Sequence, residues 1–271
     1  MTYRICKKLN KENNYKEIEQ ALEINNNIWN VKSTLNEFFQ RADNSYLIAL
    51  FENNILKGTI SGISLNRYDI LNNNKFHTWN GVTQNGSFSN VNKNGDTLCC
   101  VAITSSVSYK DDKVLNKETE NITLSESFIN KNIETYLNSG LDPVINFHKK
   151  DKGIIKGAEI IKIFPNGRPD DKDSLGFNVL MQYPKITNNL RKELTKININ
   201  CENMSIGKAL IIGALKESLK NKNINYIMPY SRPVKYRYYL TRVLLRLKGD
   251  SLDFENDKEE VFFNSIKYSQ F

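Results

Sequence analysis

Apolar positions along the chain fall into two kinds of run, and each kind predicts a different element. Short continuous or alternating runs predict strands. They cover residues 2–8, the stretch SYLIALFENNILKGTISGISL, Thr97–Ser106, Ala158–Phe164, Phe177–Tyr183, Thr195–Asn200, Ile224–Pro229 and Val261–Tyr268. Asn53-Asn54 divides the second of these into a hairpin, because asparagine tolerates the positive φ that a tight turn needs. Thr97–Ser106 (TLCCVAITSS) is almost unbroken, the pattern of a strand buried on both faces.

Helical spacing appears in five places. Tyr15, Ile18, Leu22 and Trp29 line one face of 11–29. Ser33–Arg41 is a short helix with Ser33 as its cap. Ser125–Ser139 carries Phe128, Ile129, Ile133, Tyr136 and Leu137 and stops at Gly140. Ser205–Lys220 has Ser205 as N-cap and a buried stripe of Ile206, Leu210, Ala214 and Leu215. Tyr236–Leu247 completes the set. Residues 66–95 and 107–124 are polar loop excursions, 250–260 is an acidic loop, and VINFH after Asp142-Pro143 is one further element. Strands interleaved with helices make this an α/β (α+β) chain, expected to form a single domain over 1–271.

Composition narrows the class. Over 271 residues, 39% are apolar and 10% aromatic, enough for a sizeable core and unlike a disordered chain. No apolar run approaches the ~18 residues of a membrane span. The start, MTYRICKKLNKENN, has no apolar leader segment, so a cytoplasmic protein without a membrane partner is expected. Four cysteines without a CxxC, and two histidines, argue against a disulfide framework and against a metal site. Cys99–Cys100 reads as buried thiols on a strand. The net charge of +8 suits an anionic ligand. The lysines are scattered and accompany many asparagines, a base-composition signature, so nucleic acid is not an expected partner.

The stretch with chemical content is ININCENMSIGKALIIGALKESLKNKNINYIMPYSRP. A helix N-terminus offers unpaired backbone N–H groups and partial positive charge, which suit phosphate. Gly207 and Ala209 keep the side chains small there, and Lys208 adds a cation. Met204-Ser205-Ile206-Gly207-Lys208-Ala209-Leu210 resembles the pyrophosphate loop of the GNAT acyl-CoA N-acyltransferase superfamily. Gly207 and Ala209 match its small positions, and Met204 stands where that family has Arg or Gln. YRICKKLNKENNYKEIEQALEINNNIW resembles the family's first strand and helix, and YLIALFENNILKGTISGI its strand-hairpin arm. PYSRPVKYRYY resembles the end of its fifth strand, and the LDPVINFH…MQYP block its closing strands. That block precedes the cofactor helix here, out of the usual order. Either the strand order is rearranged with Thr97–Ser106 as the fourth strand, the favoured alternative, or Thr195–Asn200 is the fourth strand and 96–184 is an insertion.

The resemblance implies a mixed, mostly antiparallel central sheet flanked by helices. It implies acyl transfer, acetyl being the expected group, from acetyl-CoA as co-substrate to an amine of a small molecule or peptide. Met204, Ser205, Ile206, Gly207, Lys208 and Ala209 would hold the pyrophosphate, with Ser231 and Arg232 holding a phosphate or a substrate carboxylate. Tyr236 and Tyr239, with Tyr238 nearby, are the candidate acids, and Glu202 the candidate base, unless water serves. His148 is a second candidate base. Arg168 with Asp170, Asp171 and Asp173 could form an acidic entrance for a cationic amine. A noncatalytic acyl-CoA- or partner-binding member of the same fold is the alternative. A cysteine-based acyltransferase using Cys99 or Cys100 with His148 is a third possibility, and a nucleic-acid-binding protein a fourth.

Overall fold

Continuous burial along the second and third strands shows that the sheet is covered on both faces. In a computed structural model, which describes residues 3–29, 32–106, 122–153, 155–199 and 204–269, β2 (Tyr46–Glu52) turns at Asn53-Asn54 into β3 (Ile55–Leu65). Both asparagines have positive φ, 50° and 64°. Leu47, Ala49 and Phe51 join a core with Ile18 and Ala21 of α1 (Tyr15–Trp29) and Phe38 and Ala42 of α2 (Leu35–Asn44). The intervening Ile48 faces the other way, toward Gly213 of α8 (Ile206–Ser218).

The strands pair in the order β1-β2-β3-β4-β7-β6-β5. Here β1 is Arg4–Lys8, β4 Thr97–Ser105, β5 Glu159–Phe164, β6 Asn178–Gln182 and β7 Tyr226–Ser231. The pairs β1–β2, β2–β3 and β3–β4 are antiparallel, and β4–β7 is parallel. Thr97–Ser105 is thus an interior strand, as its apolar run requires. The chain divides into two compact units. The first holds residues 1–109, 151–159 and 181–230, and the second 110–150, 160–180 and 231–271.

Four elements differ from the sequence reading, each for a local reason. Helix α2 is capped by Thr34, one residue beyond Ser33. Thr34 and Glu37 exchange side-chain-to-backbone bonds in a capping box, a T-x-x-E signature that outweighs the serine. Of the expected strand Thr195–Asn200, the described residues 195–199 are not a strand, and Asn200 lies outside the described residues. Thr187 caps α7 (Asn188–Lys196), which buries Leu194, and the alternation in TKININ begins only where that helix ends. Val261–Tyr268 lies in a helix, α10 (Asp257–Ser269), because Phe262, Phe263 and Ile266 are buried together while Val261 and Tyr268 are exposed. That is a helical period, not a twofold one. The excursion 66–95 is built rather than loose. It holds α3 (Arg67–Asn72), a 3-10 turn (Asn74–His77) and α4 (Trp79–Thr83), with Ile70, Val82 and Phe88 fully buried. Most of the other excursion, 107–121, lies outside the described residues.

Helix α8 is buried all round from Ala209 to Leu215 rather than along one stripe, because the sheet lies on one side of it and α7 on the other. Its closest approach is at Gly213, where an added Cβ would stand 2.5 Å from Cys6 Sγ. Gly213→Ala is therefore expected to cost about 1–3 kcal/mol by overpacking, read as a lower urea midpoint. Adding Cys6→Ala should recover part of it. An unchanged midpoint for the single variant would contradict this helix-to-strand distance.

Candidate functional site

In the first unit, one irregularity of β4 organises the surroundings. The β3–β4 register steps from Gly62↔Cys100 to Ser61↔Ala102, so Val101 has no opposite residue on β3. This is a β-bulge, which bends a strand and sharpens its twist. The parallel pairing of β4 with β7 covers Thr97↔Tyr226 to Cys100↔Pro229 and ends there. Beyond Cys100, β4 continues to Ser105 paired with β3, and among the described residues it has no further pair on β7. Tyr230, next on β7, donates its hydroxyl to the Phe76 carbonyl at 2.9 Å. β7 is thereby tied to the 3-10 turn just past the point where the two strands part.

The start of α8 lies over this same half of β4. A Cβ on Gly58 would meet the Thr104 carbonyl at 2.4 Å and Leu210 Cδ1 at 3.2 Å. Only glycine lets β3, β4 and Leu210 of α8 come this close. Ser205 caps the helix by accepting the Lys208 N–H at 3.3 Å. Ser205 is exposed, Ile206, Gly207 and Lys208 are partly exposed, and Ala209 is buried. Met204, which precedes the cap, is mostly buried. Its carbonyl accepts from the Arg4 guanidinium, which also pairs with Glu52 at 2.7 Å. The approach to the helix is thus pinned by β1 and β2, and the small-residue turn faces solvent. Lys208 Nζ lies 3.7 Å from where a Cβ on Gly153 would stand. Glu202 lies outside the described residues.

The other sequence candidates belong to the second unit, where most of them carry structure. Tyr236 starts α9 (Tyr236–Leu247) fully buried, and its hydroxyl donates to the Ile129 carbonyl of α5 (Glu126–Ser139). Its ring packs on Tyr136 and Phe177, and burial pushes its phenol well up. Tyr239 packs against Tyr136 and Phe262, and burial raises it likewise. Tyr238 instead bonds Glu255 and Arg242. Tyr136 donates to Asp142, whose other oxygen accepts the Val144 and Ile145 amides at the start of α6 (Pro143–Lys149). VINFH is therefore a helix, and His148 is buried in its last turn.

Arg232 pairs with Asp171 at 2.8 Å. Asp171 also accepts the Asp173 and Ser174 amides, which makes it the hub of a turn rather than part of an open acidic entrance. Burial of its guanidinium, and next the Arg232 charge, bring half-buried Arg168 down to about 10. Ser231 is buried, and its hydroxyl has no hydrogen-bond partner among the described residues.

Other sites lose ground on geometry. Cys99 and Cys100 are buried, and burial pushes Cys100 to about 12, so a thiolate nucleophile is not available there. Among the described residues, no group of three or more His, Cys, Asp or Glu could hold a metal, and no helix is long and apolar enough to cross a membrane. A polar groove of about 1060 Å³ runs along β1, α1 and the end of α8. Lys7, Lys8, Lys11 and Lys220 alternate there with Glu12, Asp43 and Glu217, which leaves no concentrated charge of either sign.

No protein-family profile and no curated protein sequence matches the chain. Among solved structures, it is similar to the loading GNATL domain of CurA from Lyngbya majuscula. The identity is 16% and the TM-score 0.43, and the overlap covers 65% of this chain and 95% of that one.

The Asp171–Arg232 pair gives a pH test. Hydrogen bonds and the arginine hold Asp171 below its ordinary 3.8 against the opposing effect of burial. A carboxylate lowered on folding stabilises above its unfolded pKa, and that stability is lost as pH falls through the folded value. Asp171→Asn is expected to cost about 2 kcal/mol at pH 7, with the gap from the parent closing below pH 4. Thermal melts at pH 7 and pH 3 read this, and a constant gap would contradict the pairing.

Proposed function

We propose that the chain binds an acyl-CoA through the first turn of α8 and the freed half of β4, and transfers its acyl group, acetyl first among candidates, to an amine of a small molecule or peptide. The observation that carries the reading is the parting of β4 from β7 after Cys100, on the half of β4 that Leu210 of α8 approaches at Gly58. The two features suit the two ends of one ligand. A strand edge released from its ladder offers backbone donors and acceptors at strand spacing, which fits an extended arm bearing amides. A helix N-terminus with small residues offers N–H groups and positive potential, which fits a pyrophosphate. Coenzyme A joins such an arm to such a phosphate. Lys208 would add charge at the phosphate end.

Proximity would supply much of the rate, since thioester and amine are activated chiefly by alignment. The amine must lose a proton and the thiolate must gain one. Tyr236 does not suit that second task, because its hydroxyl is already spent on the Ile129 carbonyl in a fully buried position. The same fact favours the second reading, a noncatalytic acyl-CoA-binding or partner-binding protein of this architecture.

Acetyl-CoA titrated into the protein should raise its melting temperature saturably, as any ligand selective for the native state does. Gly207→Trp should abolish that rise while the ligand-free melting temperature stays within about 3 °C of the parent. Absence of a rise in the parent at millimolar ligand would contradict the reading. An amine panel with thiol release as readout then separates the two functions. Release above the hydrolysis rate marks a transferase, and binding without release marks the noncatalytic protein.

A further inference from the structure

The chain has two tryptophans, and both indole N–H groups are directed at β4 beyond Cys100. Trp29 donates to Thr104 Oγ1 at 3.1 Å, and Trp79 donates to the Val101 backbone carbonyl at 3.2 Å. The two bonds are not equivalent. Trp29 meets a side-chain hydroxyl. Trp79 meets a backbone acceptor at the bulge, on the residue that has no opposite on β3 and follows the last pair with β7. An indole N–H is a donor only, and a carbonyl away from water needs a donor. Each therefore satisfies the other in the absence of a ligand.

The support under Trp79 is unusual as well. It opens α4, only five residues long, and its ring tip lies 3.9 Å from where a Cβ on Gly86 would stand. The chain after α4 passes through positive φ at Gln84 (51°), Asn85 (55°), Gly86 (88°) and Phe88 (58°). Non-glycine residues adopt this region only when their surroundings impose it, and such strain gathers at functional segments. Phe88 is held there fully buried. Trp79 itself is half-buried. A strained, well-anchored segment thus presents a partly accessible donor to the Val101 carbonyl.

We propose that Trp79 is a displaceable occupant of the acyl-donor groove, which holds the Val101 carbonyl until an amide N–H of the donor's extended arm replaces it. This rests on the acyl-CoA reading above. The exchange is one donor for another on a single acceptor, so donor affinity is reduced by the strength of the bond it must break. Trp79→Phe keeps a ring and removes the competing N–H. The variant is expected to bind acetyl-CoA about three- to ten-fold more tightly, the equivalent of one net hydrogen bond.

The test uses the full chain labelled with nitrogen-15, which shows one indole signal per tryptophan, assigned with Trp29→Phe. Acetyl-CoA is added while the melting temperature of the same samples reports binding independently. Movement of the Trp79 signal with faster solvent exchange, together with tighter binding by Trp79→Phe, is the expected result. A ligand-dependent rise in melting temperature with an unmoved Trp79 signal overturns this proposal and leaves the acyl-CoA reading standing. Equal or weaker binding by a folded Trp79→Phe overturns it too, and the signal in the parent chain decides if that variant does not fold. No rise in melting temperature at all overturns the acyl-CoA reading and this proposal together.

Discussion

One extra residue in β4 sets the geometry on which the account depends. Val101 has no opposite on β3, and pairing with β7 stops one residue before it. A regular β4 would carry its parallel ladder on to the end of β7 and bury every backbone group between them. Among the described residues the ladder with β7 instead ends at Cys100, at the edge of the bulge, while β3 still holds the strand on its other side. A sheet interior rarely leaves backbone acceptors unclaimed. The Trp79 indole taking the Val101 carbonyl is the local answer to that requirement.

The helix beside this edge is fixed by close approach rather than by charge. Gly58 lets Leu210 of α8 descend onto β3 and β4, and Gly213 lets the middle of the helix descend onto Cys6. The continuous apolar segment Ala209–Leu215 then packs on both sides. With the body of the helix immobilised in this way, its first turn is the part left facing solvent. Arg4, braced by Glu52, fixes the Met204 carbonyl before the cap. Packing and the Arg4 contact thus fix the direction of the backbone N–H groups in the first turn of α8.

Much of this was legible in the sequence where one signal dominates. The Asn53-Asn54 hairpin, the buried run Thr97–Ser105, the Gly140 stop and the Ser205 cap each rest on a strong local preference, and each appears. Elements decided by tertiary contact were misread. TKININ alternates like a strand, yet the preceding residues fold as α7 because Thr187 caps them and Leu194 packs inward. Val261–Tyr268 is rich in β-forming residues, yet Phe262, Phe263 and Ile266 mark a helical face. The small-residue turn was visible in Gly207 and Ala209. The bulge was not, because a one-residue register step has no sequence signature. Trp79 was missed for the same reason, since its partner is a backbone carbonyl made available only by that step. Residue type and position alone make Tyr236 a candidate acid. What sets its chemistry is a buried bond to Ile129, which no spacing reveals.

Amide hydrogen exchange with and without acetyl-CoA tests the central claim most directly. Backbone amides report where a ligand bonds as well as whether it binds. The account expects saturable protection confined to two stretches, Val101–Ser105 of β4 and Ile206–Ala209 at the start of α8. Protection elsewhere, such as along the groove of Lys7, Lys8 and Lys220, or none at saturating ligand, would contradict it.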